Sequence, residues 1–280
     1  MNNQIYPCLW FDGEAKAAAD FYCSIFGNAS ILIDTPMVVH FEIEGKKIMG
    51  LNGGPVFKKN PSISLFVTCA TNDEIENLYG KLMEGGMAMM ALDTYPWAEK
   101  YAWVTDKFGM TWQLMVGPLP PHGQKINTSF LFVGQQYGKA KQAIELYASI
   151  FPNSQVHHLE LYKDGEPQPA GNLKFGHFTL NGETFSAMDG FGDHKFAFDE
   201  GVSITVECST QEEIDNYWYK LIADGGEESM CGWLKDKFGV SWQIVPAVIG
   251  QLMSDPERAG RVMQVVMKMK KLDMQAMLDA

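Results

Sequence analysis

The 280-residue chain is long enough for two domains, and 46% hydrophobic residues can fill both cores without a covalent staple. A formal net charge of −12 argues against a broad affinity for nucleic acid or anionic lipid, whose binders gather Lys and Arg on one face. No apolar run is long enough to span a membrane, and the opening MNNQIYPCLW lacks the basic and apolar regions of a secretory leader, so a cytoplasmic protein is expected.

Taken in chain order, the sequence says the same thing twice. CLWFDGEAKAAADFYCSIFGNASI from Cys8 is answered by FLFVGQQYGKAKQAIELYASIFPNSQV from Phe130, each a strand running into an amphipathic helix. HFEIEGKKIMGLNGG from His40 and HFTLNGETFSAMDGF from His177 read as hairpins whose two-residue turns contain Gly45 and Gly182. SISLFVTCATNDEIENLYGKLMEGG from Ser62 and GVSITVECSTQEEIDNYWYKLIADGG from Gly201 each give a strand, a Ser or Thr cap and a helix stopped at Gly-Gly. WVTDKFGMTWQLMV from Trp103 and WLKDKFGVSWQIVP from Trp233 close the copies with a turn and a last strand.

Four blocks in one order define an α+β chain of four βαβββ modules, two per copy. The boundaries read 1–117 for the first domain, 118–125 for a Pro-rich linker, 126–247 for the second domain and 248–280 for a helical tail. The first copy carries MAMMALDTYPWAEKYA where the second has only EESMCG, so one hairpin of the second copy is expected to be trimmed. In the tail, Ser254 or Asp255 caps a helix with Pro256 in its first turn. Val262, Val265, Val266 and Met269 form its apolar stripe, read as packing against the protein's own body, with a partner-binding scaffold as the alternative.

Five cysteines, Cys8, Cys23, Cys69, Cys208 and Cys231, show no CxxC spacing, which disfavours a disulfide framework and a structural zinc site. Strand parity separates a core face from a groove face. Phe41, Ile43, Phe178 and Leu180, with Trp112, Leu114, Trp242 and Ile244, fall on the core side. His40, His177, Gln113 and Gln243 then face the groove, joined by Ser62, Ser64 and Phe66. Tyr6, Cys8 and Trp10 are placed there too, matched in the second copy by Thr128, Phe130 and Phe132. Trp103, Cys231 and Trp233 complete the pocket-lining set, and Asp106 and Asp236 are read as turn residues that cap local backbone. A candidate catalytic set is His177, Asp189 and Gln243, mirrored by His40, Asn52 and Gln113, in which His near a carboxylate acts as base and Gln orients a carbonyl.

The repeated FYCSIFGN and LYASIFPN, the DKFGMTWQ and DKFGVSWQ turns, and the CGW at Cys231 resemble the vicinal oxygen chelate superfamily, which includes glyoxalase I, bleomycin-resistance proteins and extradiol dioxygenases. Within it the resemblance is to PhnB-like proteins, also labelled 3-demethylubiquinone-9 3-methyltransferase, and it covers both copies almost end to end. The resemblance implies paired βαβββ modules curled into half-open barrels around a concave pocket, and a monomer with an internal pseudo-dimer or a homodimer. No GxGxxG-like loop accompanies it, so S-adenosylmethionine chemistry is not expected. Family members draw metal ligands from His or Gln at the first strand, His at the fifth and Glu at the last. Here those places hold Tyr6 or Thr128, Ser62 or Gly201, and Gln113 or Gln243. No metal and no cofactor are therefore expected. The resulting expectation is a groove that binds or transforms a small organic molecule, with a metal-dependent lyase, isomerase or dioxygenase as the alternative.

Overall fold

A computed structural model describes residues 4–119 and 123–280; residues 120–122 of the expected linker and 1–3 of the first domain lie outside the described residues. Four modules follow one plan. The first comprises β1 (Ile5–Phe11), α1 (Ala15–Ile25), β2 (Ala29–Asp34), β3 (Val38–Ile43) and β4 (Lys46–Asn52). The second has β5 (Ile63–Cys69), α2 (Asn72–Leu82), β6 (Met87–Tyr95), β7 (Ala98–Thr105) and β8 (Thr111–Val116). The third runs through β9 (Ile126–Phe132), α3 (Ala140–Ile150), β10 (Gln155–Leu161), β11 (Leu173–Leu180) and β12 (Glu183–Asp189). The fourth holds β13 (Val202–Cys208), α4 (Gln211–Leu221), β14 (Glu227–Glu228), β15 (Trp233–Lys235) and β16 (Ser241–Pro246). In each module the first strand pairs parallel with the last, and the helix is the crossover that parallel pairing requires. The trimmed hairpin is as expected: β14 has two residues where β6 has nine.

The chain forms two compact units. One is Pro7–Val202; the other joins Ser203–Ala280 to the chain start up to Tyr6. Within the first, the second and third modules share one eight-stranded sheet in the order β10-β11-β12-β9-β5-β8-β7-β6. Its centre is the antiparallel pairing of β5 with β9, one strand from each repeat.

Local chemistry sets the element ends. Thr71 and Thr210 accept hydrogen bonds from the amides of Glu74 and Glu213, whose carboxylates accept in return from the amides of Ala70 and Ser209. These are variants of the capping box at the starts of α2 and α4, in which the carboxylate reaches the amide one residue before the cap. The hairpin turns at Glu44–Gly45 and Asn181–Gly182 take positive φ at both residues, the geometry that glycine permits and that matches strand twist. Asp106 does more than cap its turn. One carboxylate oxygen accepts from the amides of Phe108 and Met110, and the other from Tyr22 Oη and Trp112 Nε1, the last two each at 2.8 Å. It thus ties α1 to the core of the second module, where Trp112 packs against Tyr22 and Phe26.

In the second unit, Asp236 repeats the turn, accepting from Phe238, Val240 and Trp242. The tail divides into α5 (Ile249–Ser254), α6 (Pro256–Val266) and α7 (Met274–Leu278), with Asp255 as the cap of α6. Val262 and Val266 pack with Leu252, Leu272 and Met277 in a cluster that Met269 and Cys231 also join, so the Met-rich stripe covers its own unit.

Candidate functional site

The eight-stranded sheet presents one face to α2 and α3, and the opposite face is the one on which the sequence places the groove. Cross-strand pairing assigns each residue to a face, since directly opposed residues point the same way. His177 lies opposite Ser186, Ser186 opposite Ser129, and Ser129 opposite Ser64. Phe66 opposes both Asn127 and Gln113, and Gln113 opposes Trp103. The set on this face is polar yet enclosed: Ser64, Gln113, Asn127, Ser129, His177, Thr179 and Ser186 are all buried. The sheet curls toward it. Phe66 and Phe175 sit on strands three places apart, about 14 Å in a flat sheet at ordinary strand spacing, yet their ring centroids are 6.1 Å apart.

Most of these polar atoms satisfy one another. Ser186 Oγ donates to Asn127 Oδ1 at 2.8 Å, Ser64 Oγ and Thr111 Oγ1 lie 2.9 Å apart, and Tyr101 Oη donates to Gln113 Oε1 at 2.8 Å. His157 Nε2 lies 3.2 Å from Thr179 Oγ1, and its ring is 5.5 Å from that of His177. Three buried atoms on this face find no hydrogen-bond partner among the described residues: Ser129 Oγ, His177 Nε2 and Trp103 Nε1. Burial, together with the neighbouring His157 and His158, lowers the pKa of His177 below its ordinary 6.5, so the ring is neutral at pH 7.

The expected site residues are sorted by this geometry. Phe41, Phe178, Trp112 and Trp242 are core residues, as parity requires. Ser64, Phe66, Trp103, Gln113 and His177 share the groove face of the sheet, and Ser62 lies just before it, its carbonyl accepting from the Leu131 amide. His40 and Cys8 both fall on the face of β4 that carries Met49, away from Phe41. Trp10 turns toward the following loop, donating from Nε1 to the Gly54 carbonyl at 2.7 Å. In the second unit, Tyr6 Oη donates to Glu207 at 2.6 Å, Gln243 Nε2 donates to Ser203 Oγ at 2.9 Å, and Trp233 pairs across from Gln243.

Three expectations are corrected. Thr128, Phe130 and Phe132 face the helix side, where Phe130 meets Tyr147 of α3 and stacks on Phe185; Ser129 and Leu131 take the opposite face. The repeats match one residue earlier than the sequence suggests, Cys8 with Ser129, and a one-residue slip exchanges the faces of a strand. Asp189 likewise lies on the face opposite His177. Its carboxylate accepts from the amides of Gly138, Ala140 and Leu173 and thereby anchors the start of α3. Asn52 has the same duty for α1, accepting from the Ala15 amide at 3.0 Å. Neither residue is placed to activate a histidine. Cys231, read as a groove or turn residue, sits in a turn and packs against the tail cluster, where burial raises its pKa.

The groove residues missed by parity, Ser129, Ser186, Asn127 and His157, had a signal in part. Aligning Phe11 with Phe132 and Asn52 with Asp189, the residues that flank each helix start, would have placed Ser129 inward. His157 follows by alternation from Gln155, which pairs with Thr179, and the bulge after Val156 sets His158 opposite His177 as well.

The positions where relatives carry metal ligands offer hydroxyls, amides or no side chain. Gln113 is committed to Tyr101 and Gln243 to Ser203. Among the described residues no group of three His, Cys, Asp or Glu side chains is placed to hold a metal ion, and none of the helices is long and apolar enough to cross a membrane. The donor set at those places does not fit a divalent ion.

The family model of 3-demethylubiquinone-9 3-methyltransferase matches the chain twice, over residues 3–115 and 124–245. A PhnB protein of Bacillus cereus described as a 3-demethylubiquinone-9 3-methyltransferase is 31% identical, covering 98% of its own chain and 40% of this one, with a TM-score of 0.38. Glyoxalase I from Zea mays is 11% identical but spans 90% of this chain and 95% of its own at a TM-score of 0.57, a likeness of fold. A mutant form of the same maize protein gives 12% identity over 87% of this chain and 94% of its own, with a TM-score of 0.55. No curated protein matches the sequence. The chain belongs to the 3-demethylubiquinone-9 3-methyltransferase family of PhnB-like proteins, with two tandem domains of glyoxalase-like fold.

Proposed function

We propose that the groove of the eight-stranded sheet binds a small organic molecule directly through protein side chains, without a metal ion. One observation carries this reading: Ser129 Oγ, His177 Nε2 and Trp103 Nε1 share one enclosed face, and each lacks a partner among the described residues. A buried polar atom left unpaired costs about 1–3 kcal/mol, and three on one face are a set that a ligand with complementary oxygens or nitrogens would satisfy.

The chemistry of the groove narrows the ligand. Phe66, Phe175, Tyr101 and Trp103 supply flat apolar surface, while Ser, Thr, Asn, Gln and neutral His supply hydrogen bonds. Among the buried polar residues of this face there is no carboxylate; Asp93 and Glu160, which pair with Tyr101 and Phe175, are exposed. The ligand class is therefore a compact molecule with an aromatic or unsaturated body and a carbonyl or hydroxyl edge. His177, neutral and without a carboxylate partner, is suited to accept a hydrogen bond from the ligand, and Trp103 Nε1 to donate one to a carbonyl. His40, Asn52, Asp189 and Gln243 have no catalytic role in this reading.

Equilibrium dialysis of the purified chain against a panel of such compounds, with product analysis and elemental analysis of the same sample, tests it. Stoichiometric binding that survives a chelator supports the proposal. Binding that needs a stoichiometric divalent ion would sink it in favour of metal-dependent chemistry, and altered compounds would make the groove an active site.

A further inference from the structure

A second recess lies in the Pro7–Val202 unit, away from the groove face. It is a cleft of about 290 Å³ between the end of β1, the loop before β5 and the 106–109 turn, walled by Trp10, Phe11, Phe57 and Phe108, with Glu14 and Lys59 also lining it. Trp10 and Phe57 meet edge to face with ring centroids 5.0 Å apart, and the Trp10 ring occupies the space that any Cβ at Gly53 would need. Lys59 Nζ is held in place by two weak acceptors: it donates to the Trp10 carbonyl at 2.5 Å and sits 3.8 Å from the centroid of Phe11. No carboxylate among the described residues forms an ion pair with it, in contrast to Lys125, which meets both Glu44 and Glu74.

We propose that this cleft binds a neutral aromatic aldehyde and that Lys59 captures it as an imine. The aromatic walls match a flat aryl group. Asp12 and Glu14 line the cleft beside Lys58 and Lys59, so its charges balance and match a ligand without net charge. In the step itself the Lys59 nitrogen lone pair forms a C–N bond to the carbonyl carbon. The resulting carbinolamine loses its oxygen as water, which carries off both amine hydrogens and leaves C=N. No oxidant or reductant is consumed.

The electrostatics favour the reactive form. Burial pushes the Lys59 pKa down to about 8, against smaller upward pulls from Asp106, Glu14 and Cys8, while its exposed neighbour Lys58 also borders the cleft. At pH 7 about a tenth of such amines are neutral, two to three orders of magnitude more than for an unperturbed lysine.

The test uses the full chain, benzaldehyde at pH 7 and cyanoborohydride to trap the imine, followed by peptide mass spectrometry. Lys59 is expected to carry the benzyl group at about tenfold or greater excess over Lys58, with a labelling midpoint near pH 8. The Lys58→Met variant should retain the Lys59 adduct and Lys59→Met should lose it; the site map on the unaltered chain stands even where the second variant does not fold. Glyoxylate, an aldehyde with a carboxylate, should label Lys59 at least about tenfold less. Even labelling across the exposed lysines, or an unmodified Lys59, overturns the proposal, and equal labelling by glyoxylate overturns its preference for a neutral ligand.

Discussion

The first and third modules are copies of one plan that have kept their scaffold and diverged on their inward faces. At the end of β4 Asn52 receives the amide of Ala15, and at the end of β12 Asp189 receives that of Ala140. Tyr22 and Tyr147 occupy the same place in α1 and α3, and both are fully buried. On the inward faces the likeness stops: Cys8 and Met49 in the first module stand where the third has Ser129 and Ser186, and the half-buried His40 answers the buried His177. Positions that hold the backbone tolerate few chemistries, because they answer to fixed amides. The inward-facing positions answer to no such fixed amides, and there the two modules have parted.

The two modules also meet in a shared interaction. Lys46, the first residue of β4, and Glu183, the first of β12, occupy matching places in the repeat and form a buried ion pair at 3.1 Å. Removing one member strands the other charge away from water, so Glu183→Ala is expected to cost about 3–5 kcal/mol in a urea titration. The exchanged pair Lys46→Glu with Glu183→Lys should recover much of it. Failure of the exchange to recover stability would show that the site depends on more than pairing.

The two anchors should differ by less. Asp189→Ala strips three buried amides and is expected to cost roughly 2 kcal/mol, and Asn52→Ala about 1 kcal/mol, both read from shifts in the unfolding midpoint. Neither should change ligand affinity by more than about twofold; a large loss in the Asp189 variant would restore its candidacy as a catalytic partner. The smallest effect is on pH dependence. The folded-state pKa of His177 lies below the 6.5 of an unperturbed ring, so the unfolded chain takes up the proton first. The stability owed to this neutral ring is complete above pH 6.5 and declines as pH falls below it. His177→Gln should flatten the stability profile in that window, whereas His40→Gln, in the first module, serves as its comparison.

Most of the scaffold was legible before any coordinates. The four modules, the Gly45 and Gly182 turns, the threonine caps and the trimmed hairpin each rest on a local pattern that physical chemistry reads in one way. Parity also placed Gln113, Trp112, Phe41 and His177 on their observed faces. It failed at β9, where the repeats were matched through Phe130 and slipped by one residue. The Asp189 error had another source: sequence nearness to a hairpin histidine says nothing about which face a carboxylate takes, and the amides that claim it lie in the turn before α3 and at Leu173. The pairing of β5 with β9 was beyond reach because it joins segments from different repeats, and the bulge that sets His158 opposite His177 breaks the alternation of β10.

The sharpest test of the groove is ligand affinity measured by isothermal titration, in the presence of a chelator, for the parent chain and for Ser129→Leu, with a compound found by dialysis. A side chain grown from the floor of the curled sheet should abolish binding, weakening it by at least about a hundredfold, roughly 3 kcal/mol, while the chelator changes nothing. Undiminished binding to the filled groove, or binding lost on chelation alone, would contradict a metal-independent site on this face.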